Sequence, residues 1–425
     1  MHDRSPPPDR LPLIVLTVGA ALGLLFASVS TFDFAQHLDR QVHGLHCSII
    51  PGLGVPDASG TSGCHVTLMS PYSSVLRSLF WGGLPVSLPG MSMFAYLLWR
   101  GASGLLSAHG QDKGAAQALL AAATIPLLTS LGMGTLSLFV LDALCKVCLG
   151  IYIGSLVSFV GAAWAYRAQG TGRGGIGDPI GEGPAATSGR ALGLLGALAA
   201  FVALPAAAWA ALVPDHSTYI GTCGKLTVMD DPKGVLLPLD PHPGGRLAIE
   251  VLDPLCPSCK GFEDRLLSSG HAEALDRKVL LFPLDNSCNW MVGGTMHPGA
   301  CTISEAVLCA KADAKQVIDW AFVHQEQIRT EAAADPEAAK RLVVQQFPAL
   351  KDCVGSANAR AQLNHSLRWA VRNELPVLTP QLYVDGVRLC DADTDLGLDF
   401  ALGTILSSPA GGAAPSAADP ARGAR

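Results

Sequence analysis

The amino-acid sequence predicts a membrane all-α four-helix bundle plus a fifth transmembrane helix, followed by a soluble α/β domain with a helical insertion. Three observations carry this. Five long uncharged stretches stand out: Leu11 to Phe32, Ser78 to Trp99, Gly114 to Leu141, Val147 to Tyr166, and Ala191 to Pro214. Each has the roughly 20 residues that a helix needs to cross a bilayer core. When these spans are counted as alternating crossings, all twelve cysteines fall on one side of the membrane. Beyond the fifth stretch, a short apolar strand runs into a Cys-x-x-Cys pair and then a helical pattern.

Cys47 and Cys64 lie between the first and second stretches, and Cys145 and Cys148 lie between the third and fourth. The other eight cysteines follow the fifth. Basic residues orient the chain. Arg4, Arg10, Arg100, Lys113, Arg167, Arg173 and Arg190 flank one face, against Arg40, Arg77 and Lys146 on the other. Seven against three places the amino terminus in the cytoplasm and the cysteines outside, where disulfides form and persist. A cleaved signal peptide is the alternative for the first stretch, but its apolar run is too long and no small-x-small site follows it.

The net charge of −6 is too mild for a nucleic-acid partner, and no basic run suggests one. The lipid bilayer is the partner the composition implies. Residues 1–170 read as a four-span membrane domain and 171–190 as a Gly-rich linker. Residues 191–214 read as the fifth span, 215–245 as a connector, 246–408 as the soluble domain and 409–425 as a disordered Ala/Gly/Pro tail.

In the soluble domain, Arg246 to Asp253 is a strand pattern followed by Cys256-Pro257-Ser258-Cys259 and a helix. Lys278 to Leu284 is a second strand candidate, and Thr302 to Asn373 is mostly helical. Pro380 to Arg388 reads as a hairpin around Asp385-Gly386, and a last helix spans about Asp395 to Ser407. A CxxC where a strand enters a helix has a physical use. The first helical turn aims unpaired N–H groups and the positive end of its dipole at the first sulfur, favouring the Cys256 thiolate. Cys259, one turn on, can close or resolve a disulfide. Half of a zinc site is the alternative, but the other CxxC lies far away at a membrane edge. Thr379-Pro380 precedes the hairpin, and Glu250 lies six residues before Cys256 on the strand.

Together, Cys256-Pro257-Ser258-Cys259, Glu250 and Thr379-Pro380 resemble the thioredoxin superfamily, giving an α/β thioredoxin-like domain with helical insertion. The insertion resembles the DsbA-like, protein-oxidising branch. The resemblance implies a cis Pro380 facing the CxxC and a buried Glu250 that moves protons to and from the resolving thiol. A solvated strand glutamate is the plainer reading of Glu250. Cys223, Cys288, Cys301, Cys309, Cys353 and Cys390 read as structural disulfides of undetermined pairing. Cys301 and Cys309 on one helix would be about 12 Å apart, too far to bridge.

Cys145-Lys146-Val147-Cys148 opens the fourth span, with Cys148 at the edge of the apolar layer. A dithiol there can exchange with loop cysteines and also meet a lipid-soluble oxidant; a structural disulfide in a short turn is the alternative. Cys47, Cys64 with Ser70 six positions on, and the CxxC with Tyr152 four positions on resemble the vitamin K epoxide reductase family. Its bacterial members commonly carry a fused thioredoxin-like domain after a fifth span, and this chain resembles that layout.

The resemblance implies a relay in a bacterial inner (cytoplasmic) membrane. Thiols of secreted or periplasmic proteins reduce the Cys256–Cys259 disulfide, whose electrons pass to Cys47–Cys64, then to Cys145 and Cys148, and finally to a quinone, ubiquinone or menaquinone. Ser70 and Tyr152 would sit near the quinone; an interfacial aromatic is the plainer reading of Tyr152. His46 and His65 flank the loop cysteines, where they would lower the thiol pKa or simply be solvated. Two rival readings are a quinone-epoxide reductase driven by the soluble domain, and a non-catalytic membrane-anchored binding module.

Overall fold

The structure is a computed structural model, and it describes residues 10–39, 45–47, 63–106, 113–141, 143–170 and 184–408. The predicted linker as far as residue 183 and the predicted tail 409–425 lie outside these. The chain divides into two units, one comprising Met1–Leu76 and Gly83–Pro214, the other Arg77–Gly82 and Asp215–Arg425.

The first unit is helical. Its elements are α1 (Leu11–Gln36), α2 (Gly63–Leu68), a short ladder of β1 (Ser74–Val75) with β2 (Leu84–Pro85), α3 (Ser87–Leu106), α4 (Lys113–Phe139), α5 (Lys146–Gly170) and α6 (Pro184–Leu212). α1 packs chiefly on α5 and α3, α4 on α5, and α6 on α3 and α4. Lipid tails are as apolar as Leu, so burial alone does not drive such helices together; close backbone approach does. At Gly154 of α5 a Cβ would fall 2.6 Å from the backbone nitrogen of Gly23, and at Gly19 of α1 one would fall 2.5 Å from that of Ser158. Only glycine permits this seam, which fixes the α5 start and its CxxC against α1.

Among the described residues, four helices are long and apolar enough to cross a membrane: Leu11–Asp39, Gly114–Phe139, Lys146–Ala168 and Leu192–Tyr219. The expected second span, Ser78 to Trp99, is corrected. Its helix is α3, which begins only at Ser87 and runs on through Arg100 to Leu106. Gly82 and Gly83 both have positive φ, at 71° and 76°, and Pro85 follows in β2, so the chain turns where continuous helix was expected. The expected linker is also shortened, because residues 184–190 already belong to α6.

The second unit is an α/β fold. Its five-stranded mixed sheet runs in the order β3 (Leu237–Asp240), β5 (Leu275–Leu281), β4 (Arg246–Leu252), β6 (Gln381–Val384), β7 (Val387–Arg388). β4 and β5 are parallel and the other neighbours antiparallel. α7 (Pro257–Ser268) follows β4; α8 (Ala300–Ala310), α9 (Ala314–Val323), α10 (Gln325–Ala334), α11 (Ala338–Gln346) and α12 (Ala357–Arg372) form the insertion; α13 (Leu398–Ser407) closes the chain. The expected connector thus supplies an edge strand, β3, with alternately buried Leu237 and Leu239. The second strand begins three residues earlier than expected, at Leu275.

The segment Arg77–Gly82 completes this unit. Trp81 is 2% exposed and meets Phe400 edge-on at 6.0 Å, while Arg77 Nε lies 3.0 Å from Asp399 Oδ2. Three disulfides tie the unit's loops and helices: Cys223–Cys390, Cys288–Cys301 and Cys309–Cys353. Cys301 and Cys309 share α8 and are not joined to each other, as their spacing requires.

Candidate functional site

Two cysteine constellations emerge, one in each unit. In the helical unit Cys47 and Cys64 form a disulfide. Cys64 lies on α2, whose first residue, Gly63, sits so close to the Leu144 carbonyl that a Cβ would meet it at 2.2 Å. That contact lays the disulfide against the start of α5. Cys64, Cys145, Val147 and Phe26 form one buried cluster, with Cys47 and Cys148 packed on it. Cys145 and Cys148 are free thiols, and the Cys148 backbone N–H donates to Cys145 Sγ at 3.2 Å.

A cavity of about 190 Å³ adjoins them. Cys64, Cys145, Cys148 and Tyr152 line it, among apolar side chains that include Phe34, Met93 and Met133. Its lining is mostly hydrocarbon with interspersed hydroxyls and the Asp33 carboxylate, and its volume is far above the roughly 10–15 Å³ that one water needs. A planar ring with an apolar tail fits that donor set. The resemblance puts Ser70 near the ring. It is buried, its hydroxyl donates to the Thr67 carbonyl at 2.8 Å, and it is not in the cavity wall; Thr67, one turn earlier on α2, is.

Sequence reasoning passed over Asp33. This carboxylate is 4% exposed, lines the cavity, and accepts both the backbone N–H of His46 at 2.9 Å and its ring Nδ1 at 2.6 Å. The signal was present, since an acid at the end of an apolar span marks a functional position. His46 therefore does not float beside Cys47; it holds the Cys47 backbone to α1.

In the α/β unit the sheet assembles the second constellation. Val251 on β4 pairs with Gln381 on β6, so Pro380, which precedes β6, comes opposite the end of β4 where the CxxC turn begins. The Thr379–Pro380 bond is cis, and Cys256 Sγ lies 3.8 Å from the Thr379 carbonyl oxygen. Cys256 is the N-cap of α7 with Pro257 at N1, where no N–H is needed. Gln325 of α10 donates to the carbonyls of Pro254 and Cys256, pinning the turn from the insertion side.

Cys256 and Cys259 are both free and buried. The Cys259 thiol donates to Cys256 and, against the opposing effect of burial, this lowers the Cys256 thiol to about 6, with Thr379 assisting. Burial pushes Cys259 well above its ordinary value. The pair is thus split into a ready thiolate and a held proton, the division a thiol–disulfide exchanger uses.

Glu250 is buried, at 2% exposed, which removes the solvated reading. Its carboxylate accepts from Arg277 Nε at 2.6 Å, and Arg277 also grips Glu263. A second acid, Asp253, stands closer to the CxxC in sequence and is fully buried. Its carboxylate accepts the N–H groups of Leu255 and Leu284, both at 2.8 Å, and its Oδ2 meets His297 Nδ1 at 2.7 Å. Neither Asp253 nor His297 carried a motif that spacing would reveal, because their meeting depends on the loop after β5.

Residues 14–163 match the vitamin K epoxide reductase family, so this stretch carries a domain of that family. Its long apolar helices fit a membrane bundle, and the match points to disulfide and quinone redox chemistry in a multi-pass membrane protein. No curated protein matches the chain.

Proposed function

We propose that this chain is a membrane thiol oxidase that forms disulfides in extracytoplasmic proteins. In this reading the α/β unit is a thioredoxin-like domain facing the outside of a bacterial inner membrane. The observation that carries it is the Cys47–Cys64 disulfide packed against the free Cys145 and Cys148 beside one apolar cavity.

One thiolate of a secreted protein would attack the Cys256 sulfur of the Cys256–Cys259 disulfide and release Cys259, and the protein's second thiolate would then attack the sulfur of the first in the mixed disulfide, leaving that protein oxidised and the pair reduced. The reduced pair passes two electrons to Cys47–Cys64; the Cys64 thiolate would then attack the Cys145 sulfur of a Cys145–Cys148 disulfide, and Cys47 would resolve the mixed disulfide, leaving Cys145 and Cys148 as a dithiol. Cys145 and Cys148 then close a disulfide while releasing their electrons and protons toward the cavity. A quinone bound there would supply the terminal acceptor for two electrons and two protons. Tyr152, Thr67 and the surrounding apolar wall would hold its ring, and Asp33 would anchor the Cys47 end of the loop through His46.

The direction follows from the compartment. Disulfide formation outside the cell requires net removal of electrons, and a membrane quinone is a suitable sink. Fusion makes the first transfer intramolecular, at an effective concentration of up to about millimolar. The test is quinone reduction by purified protein supplied with a reduced dithiol protein. Turnover that needs both CxxC pairs is expected. Dithiol-driven turnover of a quinone epoxide instead of the quinone would favour the reductase reading, and no turnover with either acceptor would refute oxidase and reductase alike.

A further inference from the structure

In the α/β unit a buried acid six residues before the CxxC is the expected proton partner, yet here that acid is Glu250, held by Arg277 in a fully enclosed ion pair. A carboxylate so committed cannot exchange protons with a thiol without breaking the pair. The structure instead sets a different couple beside the turn. Asp253 joins the CxxC through its own backbone, because its carbonyl accepts the Cys256 N–H at 3.1 Å. Its carboxylate organises the turn through Leu255 and Leu284, and its Oδ2 is shared with His297, whose side chain is 9% exposed.

We propose that the Asp253–His297 pair sets the charge beside Cys256 and so tunes how readily the Cys256–Cys259 disulfide accepts electrons, a part that Glu250 does not play. This rests on the reading of Cys256–Cys259 as the redox pair. On reduction, the disulfide takes two electrons and one proton to become a Cys256 thiolate and a Cys259 thiol. The electrons come from a protein dithiol, which closes its own disulfide and gives up two protons, one of them retained at Cys259. A bare Asp253 carboxylate opposes the Cys256 thiolate by like-charge repulsion. A protonated His297 offsets that charge, so the reduced state is favoured and the disulfide is the stronger oxidant.

The surroundings agree with a charged ring. Burial works against the imidazolium, but the hydrogen bond and charge of Asp253 outweigh it and hold the proton above the ordinary histidine value, with the Cys256 thiolate contributing. Arg329 of α10 acts in the opposite sense. The remaining nearby acid, Asp285, is engaged by the N–H groups of Ser287 and Gly299 and by Thr295. His297 is thus a positioning residue that acts through Asp253 and through the field at the sulfur.

The test needs neither quinone nor protein substrate, so its failure is separable from failure of the oxidase reading. Full-length protein with Cys256–Cys259 reduced is pulsed with iodoacetamide from pH 4 to 9, and modification of the Cys256 peptide is followed by mass spectrometry. The wild-type midpoint is expected near 6. His297→Gln should raise it by about one unit, making Cys256 about tenfold less reactive at pH 5, and Asp253→Asn should lower it. The double variant should return toward the wild-type value. Should a variant not fold, the wild-type profile still decides. It should show a second rise in rate above the first, as the imidazolium loses its proton and the thiolate becomes a stronger nucleophile. An unmoved or lowered midpoint in folded His297→Gln, or a single-step wild-type profile, would overturn the proposal.

Discussion

Arg277 donates from Nε to Glu250 at 2.6 Å and, from its other arm, to Glu263, with no part of its side chain exposed. One cation thus serves two enclosed carboxylates. Burial, with the nearby Glu250 charge, raises Glu263 to about 7 from its ordinary 4.5. A carboxyl whose pKa is raised on folding stabilises the fold fully below its unfolded pKa, and this is lost as pH rises through the folded value. The α/β unit should therefore lose stability between about pH 4.5 and 7, by up to about 3 kcal/mol from this group. Denaturant melts across that window should show the slope in the wild type and a flatter line in Glu263→Gln. An equal slope in both would place its origin elsewhere.

The same cluster predicts a large loss when its cation is removed. Arg277→Met leaves two buried carboxylates without a partner, a change that typically costs about 3–5 kcal/mol. Urea unfolding of the second unit, followed through the exposure of its buried tryptophans, is the measurement. A cost below about 1 kcal/mol would mean that water enters and solvates the acids.

The seam between α1 and α5 gives a prediction with an internal control. A methyl at Gly154 would press on the Gly23 backbone, whereas a methyl at Gly132 of α4 meets nothing within 4 Å. Gly154→Ala should destabilise the bundle by about 1–3 kcal/mol through overpacking. Gly132→Ala should be neutral or slightly stabilising, since Ala is the better helix former. Thermal unfolding in detergent distinguishes them, and similar melting temperatures for the two would show that the helices are free to separate.

Much of this was legible in the sequence because it rests on local patterns. Uncharged runs revealed α1, α4, α5 and α6, and alternation with an Asp385-Gly386 turn revealed the hairpin beside the CxxC. The start of the second span was misplaced because hydropathy does not distinguish an apolar residue facing lipid from one that fills a protein core. Trp81 is the latter, and the two glycines after it end the run. The resemblance treated Ser70 and Tyr152 alike, but of the two Tyr152 lines the cavity, while the Ser70 hydroxyl, just past the end of α2, donates to the carbonyl three residues back. Asp33 with His46, and Asp253 with His297, are long-range meetings that no periodicity encodes.

The cavity wall turns that difference into a measurement. Tyr152→Phe should weaken quinone turnover in the purified protein, raising the apparent KM, because a wall hydroxyl is lost. Ser70→Ala should leave it within about twofold, as its hydroxyl donates to the Thr67 carbonyl. Cys148→Ala should abolish quinone reduction while the Cys256–Cys259 pair still exchanges with a small dithiol. The reverse ranking of Tyr152 and Ser70 would mean that the acceptor binds outside this cavity.

The last prediction concerns the passage of electrons between the two cysteine constellations. Thiol–disulfide exchange proceeds through a mixed disulfide, so an intramolecular relay requires Cys256 to be joined for a time to one loop cysteine. Cys47 is half-buried while Cys64 is 6% exposed and packed on Cys145. Attack at Cys47 therefore meets less obstruction, and it frees Cys64 as the thiolate beside the sulfur it must next engage. In Cys259→Ala the attacking Cys256 has no neighbour to release it, and the joined species should accumulate. Proteolysis followed by non-reducing mass spectrometry should find the Cys256 peptide linked to the Cys47 peptide. A link to Cys64 would reverse the order of the loop cysteines, and no link to either would mean that the α/β unit passes its electrons to another protein.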